Sequence, residues 1–472
     1  MISRAEIGNL SVEWGLREEI VEKDYVIGWL LWGIGSHQVL RDTWIFKGGT
    51  CLKKCYFETY RFSEDLDFTI LHSGSIEPDT VKPMIEEVIE RVQEESGIDF
   101  SAMEVRFDLR PTGSSSEGRI YYIGPRKARS PAKVKIDLNA VEKVARPPIL
   151  RKINHPYSDS HPGNGVVRCY SFEELFAEKI RALGERSRPR DLYDVVSIHR
   201  NSGLRKAPQL VSKVLAQKCA SKGVPIPTHR SICTSEAFPE LESEWENMLG
   251  HQLHSLPPYD AYLEAMEEFF LWLEGLSPPK HLTKLPMGPS EDLAWSPPPT
   301  LYAWGTRTPL EPIRFAGSNR LVVRIHYQKE NGQRVRRTIE PYAFRRTQDD
   351  NIILRAFDLT KQDYRSFRVD RLLTASVTKI PFKPRNIVEF SQMGSIAIPS
   401  DNSTYSRSEV VRSHRIKSSS RQKQYGPVYI IECNTCGRRF PHKKRTTSLR
   451  KHKDKNGQDC YGRRGHVAET RY

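Results

Sequence analysis

Residues 44–71 read WIFKGGTCLKKCYFETYRFSEDLDFTIL, and few folds accommodate this order of residue types. The segment predicts a strand, a glycine turn, a helix, a second turn and a second strand. Gly48 and Gly49 permit a tight turn and a close approach of the backbone to a phosphate, and Thr50 can cap the helix that follows. A Gly-Gly turn alone is not specific, so the interpretation depends on the second strand.

The second strand places two carboxylates side by side. In DLDFTIL, the period of two puts Asp65 and Asp67 on one face and Leu66 and Phe68 on the other. Two such acids repel each other unless a cation lies between them. A later strand, AKVKIDLNA, carries Asp137 on its polar face. Placed beside the pair, this third acid completes a ligand set for two Mg²⁺ ions about 3.5 to 4 Å apart, which is the arrangement that supports in-line phosphoryl transfer.

Residues 171–200, SFEELFAEKIRALGERSRPRDLYDVVSIHR, predict two helices joined by a polar turn. Lys179 lies off the apolar stripe of the first helix, so it can reach into a cleft and pair with a nucleotide phosphate. Asp191 and Asp194 lie three residues apart on one face of the second helix. Acids in the first turn are common for dipole reasons alone, so Asp194 is interpreted as structural, whereas Arg190 and Asp191 are the better functional candidates.

The positive charge of the chain is concentrated in its last residues. Residues 401–472 contain 18 Lys or Arg and 6 Asp or Glu, a net of +12 out of +15 for the whole chain. Such a tail binds phosphate backbones of DNA or RNA without specifying sequence, and its alternative role is solubility. No apolar run approaches the length of about 18 residues that a membrane span needs, and MISRAEIGNL does not resemble a signal peptide. We therefore expect a cytoplasmic protein without a membrane partner.

Five motifs in fixed order carry a resemblance to a known family: FKGGTCLKKCY, RFSEDLDF, VKIDL, AEKIRAL and RPRDLYDVV. Together with IVEKDYVIGWLLWGI, they resemble the AbiEii/AbiGii nucleotidyltransferase toxins of abortive-infection and toxin-antitoxin systems, a branch of the polymerase-β-like superfamily, over residues 15–205. The resemblance implies transfer of a nucleotide from an NTP to an RNA acceptor such as tRNA, with a cognate antitoxin as a partner. It also implies that Lys179 steadies the nucleotide phosphates and that Asp191 is essential for activity.

The predicted site residues follow from these motifs. Catalysis is assigned to Asp65, Asp67, Asp137, Lys179 and Asp191. Nucleotide binding is assigned to Lys47, Gly48, Gly49, Thr50, Ser63, Lys179 and Arg190. The two Mg²⁺ ions are expected on Asp65, Asp67 and Asp137.

A second resemblance covers the stretch after residue 300. RLVVRIHYQKENGQRVRRTIEPYAF predicts a hairpin, with Asn331-Gly332 suited to a type I′ turn. With NIILRAFDLTKQDYRSFRVDRLL, it resembles a WYL domain, a small Sm-like β-barrel that binds nucleotide or nucleic-acid ligands in bacterial regulators. The Trp-Tyr-Leu trio of that family reads Ile-Ile-Leu at residues 352–354. Arg368 and Arg371 match its ligand-facing arginines, and a solvated strand face is the alternative interpretation.

The cysteines divide into two sorts. Cys433, Cys436, His452 and Cys460 have the spacing of a closed, structural Zn²⁺ site, and a helix over Thr446–Lys453 is predicted to carry the histidine and a basic surface. His442 and His466 are alternative ligands. The other cysteines are scattered in sequence and are predicted to be ordinary thiols: Cys51, Cys55, Cys169, Cys219 and Cys233.

At 472 residues the chain exceeds what one hydrophobic core usually organises, so several domains are expected in an overall α+β fold. Prolines in SPPK and WSPPPT favour an extended linker, and a stretch rich in Ser and Arg favours a flexible one. The predicted pieces are a nucleotidyltransferase core (1–205), a helical extension (206–276), a Pro-rich linker (277–300), a WYL-like β domain (301–395), a flexible linker (396–425) and a zinc finger with a basic tail (426–472).

The sequence therefore predicts a nucleotidyltransferase that modifies RNA. A nucleic-acid-binding regulator that keeps a degenerate form of the fold is the rival hypothesis, favoured by the WYL-like and zinc segments and disfavoured by the presence of every expected acid and of Lys179. Modification of a small molecule is disfavoured because such a substrate has no need of a basic tail.

Overall fold

The computed structural model describes residues 1–57, 61–163, 165–200, 208–276, 282–292, 310–390, 428–442, 447, 449, 452–456, 458–460, 462 and 464–471. The chain divides into two compact units, Met1–Ile398 and Pro399–Tyr472. Most of the predicted Pro-rich linker and the whole of the predicted flexible linker lie outside the described residues. A division of the first unit into separate domains stays a prediction.

A seven-stranded mixed sheet organises the first half of the chain. Its strands are β1 (Trp44–Lys47), β2 (Asp65–Ile70), β3 (Arg106–Leu109), β4 (Ser115–Tyr122), β5 (Ala132–Asn139), β6 (Ile149–Lys152) and β7 (Val166–Cys169). They lie in the order β3-β4-β5-β2-β1-β7-β6. The pairs β2·β5 and β1·β7 are parallel, and the others are antiparallel. The alternation predicted for β2 is confirmed, because Leu66 and Phe68 are fully buried whereas Asp65 is exposed.

Helices cover this sheet, and α2 is buried on nearly every side because it packs against α1, α5 and β7. Ser3 and Ser171 cap two of the helices by accepting hydrogen bonds from backbone N–H groups. The helices are α1 (Arg4–Trp14), α2 (Glu18–Ser36), α3 (Leu40–Thr43), α4 (Gly48–Cys51), α5 (Pro78–Ser96), α6 (Phe172–Arg186) and α7 (Pro189–Arg200). After residue 207 come α8 (Pro208–Lys222), α9 (His229–Cys233), α10 (Phe238–Ser243), α11 (Trp245–Leu249) and α12 (Tyr259–Leu273).

The predicted cap at Thr50 is wrong. Helix α4 begins at Gly48, and Thr50 lies inside its only turn. The glycines supply the first helical residues, so the Thr50 hydroxyl is free to donate to the backbone oxygen of Asp65 at 2.5 Å. The chain then continues as a π-helical turn over Leu52–Tyr56.

Helix α13 (Glu311–Asn319) packs against a five-stranded antiparallel sheet. No pairing that closes this sheet into a barrel is found among the described residues. The strands, which lie in the order β11-β10-β9-β8-β12, are β8 (Leu321–Gln328), β9 (Arg334–Arg346), β10 (Ile352–Asp358), β11 (Asp363–Arg368) and β12 (Leu372–Pro381).

The hairpin between β8 and β9 forms as predicted, but its turn type is different. Gly332 has a φ of 81°, whereas Asn331 does not have a positive φ. A type I′ turn needs a positive φ at both central residues. The backbone pair Lys329 and Gln333 instead closes a three-residue loop with glycine in the left-handed position.

The second unit is a small β module around four metal-ligand side chains. Ile431, Leu449 and partly buried Phe440 form its apolar core. The strands are β13 (Val428–Cys433), β14 (Arg439–His442), β15 (His452–Lys453), β16 (Asp459–Cys460) and β17 (Gly465–Arg471), with β14-β13-β17 in one sheet and β15-β16 in another.

The helix predicted over Thr446–Lys453 is wrong where the structure describes it. His452 and Lys453 form β15, paired with β16. The Asp454 carboxylate accepts hydrogen bonds from the backbone N–H groups of Asn456 and Gln458, each at 2.9 Å. Such a bond favours a turn over a helix. Arg450 and Lys451, predicted to lie on the basic surface of this helix, fall outside the described residues.

Three of the cysteines that we predicted to be scattered lie together. The sulfur atoms of Cys51, Cys55 and Cys169 are within 4.8 Å of one another, and all three residues are buried. Their separation in sequence hid this cluster, because it forms only when the end of β7 packs beside α4 and the π-helical turn. Cys219 and Cys233 are not part of it.

A search of the described helices for a membrane span found none with the necessary length and apolar character.

We expect Lys54→Met to destabilise the protein strongly. The Lys54 ammonium is fully buried and lies 2.6 Å from the carboxylate of Asp24, which also accepts a hydrogen bond from Tyr157. Removing the lysine leaves a buried charge without its partner, so the free energy of unfolding should fall by about 3–5 kcal/mol. Urea denaturation measures the loss. Lys133→Met, at an exposed position of β5, should change it by less than about 0.5 kcal/mol, and equal losses would contradict the prediction.

Candidate active site

Four ionisable side chains form a row across the middle of the seven-stranded sheet. In register from β4 to β1 they are Glu117, Asp137, Asp67 and Lys47. In-register neighbours on one face of a sheet have side chains about 5 Å apart. Asp65 lies two residues before Asp67 and therefore on the same face. The structure thus brings together the three aspartates that the sequence placed on two strands.

Burial and mutual repulsion make Asp67 hard to ionise. Burial raises its pKa from 3.8 to about 6, and the charges of Asp137 and Asp65 act in the same direction. Lys47 and Lys179 oppose the shift without cancelling it. Burial also raises the pKa of Asp65. The negative charge at this point of the sheet is only partly compensated by the protein itself.

Asp137 differs from Asp67 because basic side chains contact it directly. Arg110 donates to one of its carboxylate oxygens at 3.1 Å, and the Lys135 ammonium lies 3.2 Å from the other. Both basic groups also pair with Glu117, at 3.1 and 3.3 Å. The two acids at this edge of the row are therefore neutralised by Arg110, directly after β3, and by Lys135 of β5.

The glycine turn packs directly on the acidic row. Gly48 has a φ of +81°, and a Cβ atom there would lie 2.2 Å from a carboxylate oxygen of Asp67. At Gly49, a Cβ atom would lie 2.6 Å from the Arg61 guanidinium and 3.2 Å from the Ser63 hydroxyl. Both glycines are thus required by close approach, and Gly48 also by its backbone conformation.

Lys47, at the end of the row, forms ion pairs with two acids of neighbouring elements. Its ammonium lies 3.0 Å from Glu178 and 3.9 Å from Glu142. Burial alone would lower the pKa of Lys47, but Glu178, Glu142 and Asp67 together raise it. Buried Lys218 pairs with Glu142 at 2.9 Å and with Glu174 at 3.3 Å, which extends the network. The side chain predicted to bind nucleotide therefore also anchors β1 to α6.

Asp194 holds two basic side chains beside the site. It accepts two hydrogen bonds from the Arg61 guanidinium, at 2.6 and 2.8 Å, and lies 2.8 Å from the Lys179 ammonium. Burial opposes ionisation of Asp194, but Arg61 and Lys179 overcome it and lower its pKa. Lys179, predicted to meet a nucleotide phosphate, is thus paired with Asp194.

Asp191, on the same helix as Asp194, forms a separate ion pair with Arg186 at the end of α6. It is fully buried and accepts two hydrogen bonds from Arg186, at 2.7 and 2.9 Å. The Arg186 side chain is 49% exposed and interacts with the charge of Asp67, so it faces the site. Arg190 donates to the Met248 backbone oxygen at 3.4 Å, and the charge of Asp65 acts on it.

The arginines predicted to face a ligand in the five-stranded sheet are paired with acids. Arg368 donates to Asp370 at 2.7 and 3.0 Å, and Arg371 donates to Glu330 at 3.0 Å. Both side chains are partly exposed. Their role toward a ligand stays a prediction.

The four ligand atoms of the second unit converge within 4.8 Å of one another. The Cys433 sulfur lies 3.9 Å from that of Cys460, and the Cys436 sulfur lies 3.4 Å from Nε2 of His452. Burial raises the pKa of Cys433, but backbone N–H groups of Cys436 and Thr435 lower it to about 6. A Cys₃His set of this size fits a tetrahedral Zn²⁺ ion. The alternative ligands His442 and His466 do not belong to this group.

Comparison with known proteins identifies the family. The family model for the nucleotidyl transferase AbiEii toxin of type IV toxin-antitoxin systems matches residues 29–265, just over half of the chain. The chain belongs to the AbiEii toxin family. The model of the WYL domain matches residues 309–377. A search of curated proteins found no match.

Two solved structures show similarity to this AbiEii-family chain. The nucleotidyltransferase toxin MenT4 of Mycobacterium tuberculosis H37Rv is 20% identical, covers 59% of this chain and 91% of its own, and has a TM-score of 0.40. The proteasome accessory factor B/C of Arthrobacter aurescens is 20% identical over 32% of this chain, with a TM-score of 0.14. This chain spans only 20% of that protein. The predicted family and enzyme class, a nucleotidyltransferase, are confirmed by the family match.

Sequence reasoning missed several side chains around the AbiEii site. Arg61 lies in the motif RFSEDLDF, four residues before Asp65, and its position could have suggested a role. Arg186 is the last residue of the first helix of the predicted pair. Arg110 gave no such signal, because it meets Asp137 only through the pairing of β3, β4 and β5. Lys135 did have a signal, because it lies two residues before Asp137 on the same face of β5.

We expect Asp67→Asn to stabilise the protein in the absence of divalent cations. A folded-state pKa of about 6 against 3.8 means that the ionised carboxylate destabilises the fold above pH 6, and that this cost disappears below about pH 4. At pH 7.5 the free energy of unfolding should therefore rise by about 1–3 kcal/mol, as measured by urea denaturation with EDTA.

Asp137→Asn is the matched control for this variant. It removes the ion pairs with Arg110 and Lys135, so it should leave stability unchanged or lower it. A loss of stability in Asp67→Asn, or an equal gain in both variants, would show that the ionised Asp67 carboxylate does not destabilise the fold.

Proposed function

We propose that this protein transfers a nucleotide from an NTP to an RNA acceptor such as tRNA, with two Mg²⁺ ions, as the toxin of an abortive-infection or toxin-antitoxin system. The observation that carries the proposal is the convergence of Asp65, Asp67 and Asp137 on one face of the β2·β5 pair. It rests also on membership of the AbiEii family. A cognate antitoxin and a role in phage defence are part of the proposal.

The site fits divalent cations by its chemistry. Carboxylate oxygens are the ligands that Mg²⁺ prefers, and the raised pKa of Asp67 shows negative charge in need of a positive partner. Asp65, Asp67 and Asp137 would hold the ions. Bound there, Mg²⁺ would lower the pKa of the attacking hydroxyl and offset charge on the leaving pyrophosphate.

Asp137 has to exchange partners when the site is loaded. Arg110 and Lys135 contact both of its carboxylate oxygens, so these basic groups must yield to a cation. Once released, they lie at the exposed edge of the site and are free to meet acceptor phosphates.

The remaining basic groups position the nucleotide. The absence of side chains at Gly48 and Gly49 lets a triphosphate approach the backbone of α4. Lys179 is 10% exposed and pinned by Asp194, whereas Arg186 is half exposed beside Asp67. We assign Lys179 to orientation within the site and Arg186 to direct contact with the phosphates, while Asp194 and Asp191 act as positioning residues.

The acceptor is proposed to be RNA because exposed basic groups lie outside the catalytic site. On the five-stranded sheet, Arg324, His326 and Arg336 share one face, with His326 and Arg336 in register and Arg324 and Arg336 exposed. The last 72 residues add a net charge of +12. The Cys433, Cys436, His452 and Cys460 cluster is proposed to hold a structural Zn²⁺ ion that orders this basic module.

The decisive experiment is nucleotide transfer in vitro. Purified protein, Mg²⁺ and each labelled NTP should label total tRNA, and Asp65→Ala with Asp67→Ala should reduce labelling at least about a hundredfold. Asp108→Ala, an exposed acid on β3, is the control and should keep wild-type activity. Equal labelling by wild type and the double variant would contradict the proposal.

The rival function is a nucleic-acid-binding regulator with an inactive catalytic fold. The WYL match and the Cys/His cluster favour it. Growth arrest on expression separates the two functions: an enzyme loses toxicity in Asp67→Ala, whereas a regulator keeps it.

We expect the basic tail to tether the acceptor. Deleting residues 401–472 removes a net charge of +12, so RNA affinity should fall at least about tenfold at low salt, and the dependence on salt should become shallower. Fluorescence anisotropy at a series of salt concentrations measures both effects. Arg324→Ala with Arg336→Ala, which keeps the tail, should lower affinity less. Unchanged affinity in the deletion would show that the tail is not the tether.

A further inference from the structure

Three thiols converge in the core of the first unit. Cys51 ends α4, Cys55 lies in the π-helical turn and Cys169 ends β7. Their sulfur atoms lie within 4.8 Å of one another, and each residue has no exposed surface. Single π-helical turns inside helices are frequent at functional sites. Three sulfur ligands at this spacing suit a thiophilic metal ion.

A buried arginine, Arg151, lies beside these thiols. Arg151 is 5% exposed, donates from Nε to the Cys55 backbone oxygen at 3.0 Å and stacks on the Tyr56 ring at 4.6 Å. Among the residues that the structure describes, no carboxylate forms an ion pair with it. Its charge acts instead on Cys55 and Cys169. A buried guanidinium is costly without a counter-charge, and thiolates are the nearby groups able to supply one.

We propose that Cys51, Cys55 and Cys169 bind one thiophilic divalent cation of the Zn²⁺ class. On binding, each thiol loses its proton to solvent and forms a sulfur–metal bond, so no electrons are transferred. Three thiolates and one divalent cation carry a net charge of −1, which Arg151 balances. The Tyr56 hydroxyl donates to the Tyr170 backbone oxygen at 2.6 Å and is not part of the ligand set that we propose.

The ion would connect the glycine turn to the neighbouring strand. Cys51 and Cys55 follow Gly48 and Gly49 within one helical segment, and Cys169 is in register with Phe46 on β1. Sulfur–metal bonds therefore tie α4 and the π-helical turn to β7. The site is independent of the proposed nucleotidyl transfer, and its test does not require activity.

The test uses full-length protein carrying Cys433→Ser and Cys436→Ser, which removes the second cluster. When expressed with added Zn²⁺, this protein should retain about one equivalent of zinc by mass spectrometry of the metal content. After this zinc is removed with a chelator, adding Cd²⁺ to the metal-free protein in excess Mg²⁺ should give a thiolate-to-metal charge-transfer band and the release of about three protons per ion. The excess Mg²⁺ keeps Cd²⁺ from the carboxylates, and only sulfur ligands produce the band.

Two further variants complete the test. In the same background, Cys51→Ala with Cys169→Ala should lose the metal and the band, whereas Cys219→Ala, another buried thiol, should keep both. Circular dichroism verifies that each variant is folded. The proposal is overturned if the Cys433→Ser, Cys436→Ser protein binds no metal while thiol titration finds its core cysteines reduced. It is equally overturned if those cysteines form a disulfide.

Discussion

The parallel pairing of β2 with β5 sets Asp67 opposite Asp137, and many of the surrounding side chains are basic groups that pair with these acids or their neighbours. Hydrogen bonds between the strands fix the register, so the two carboxylates cannot separate without breaking the sheet. Asp65 adds a third acid on the same face. Burial, together with repulsion from Asp137 and Asp65, raises the pKa of Asp67, and the neighbouring Lys47 offsets only part of that rise. A site that remains deficient in positive charge after folding is suited to divalent cations and to the nucleotides that accompany them.

The basic side chains near the acids fall into two groups with different tasks. Those of the first group are buried and hold elements together: Lys47 connects β1 to α6, and Asp194 connects Arg61 to Lys179. Those at the exposed edge, Arg110 and Lys135, are bound to Asp137 and can leave it without unfolding anything. The first group fixes the position of the acids, and the second group is available for exchange. This division explains how so many charges occupy one small region of an otherwise apolar sheet.

Sequence patterns confined to one strand predicted the structure well. The start of helix α4 and the secondary structure around His452 were predicted less well. The alternation in DLDFTIL identified both the strand and the face that its acids occupy, because side-chain direction in a strand depends only on local backbone geometry. Thr50 was misassigned because helix initiation at Gly48 depends on the contact of that glycine with Asp67. In the second unit, the helix expected around His452 is replaced by a hairpin that brings this side chain to Cys460. In both cases a contact between distant residues overrode a local preference.

The sequence by itself determined the family, the three acids, the glycine turn and the Cys₃His ligand set, because each is written in residue types at fixed local spacing. Only the tertiary structure decided which charges compensate one another. Lys179 pairs with Asp194, Arg186 with Asp191 and Arg110 with Asp137, and no local pattern distinguishes these partners from the other ionisable side chains of the chain. The cluster of Cys51, Cys55 and Cys169 has the same origin. Cys169 lies more than a hundred positions from Cys51 and Cys55, so their contact depends on how the strands are ordered in the sheet, and that order is a property of the whole fold.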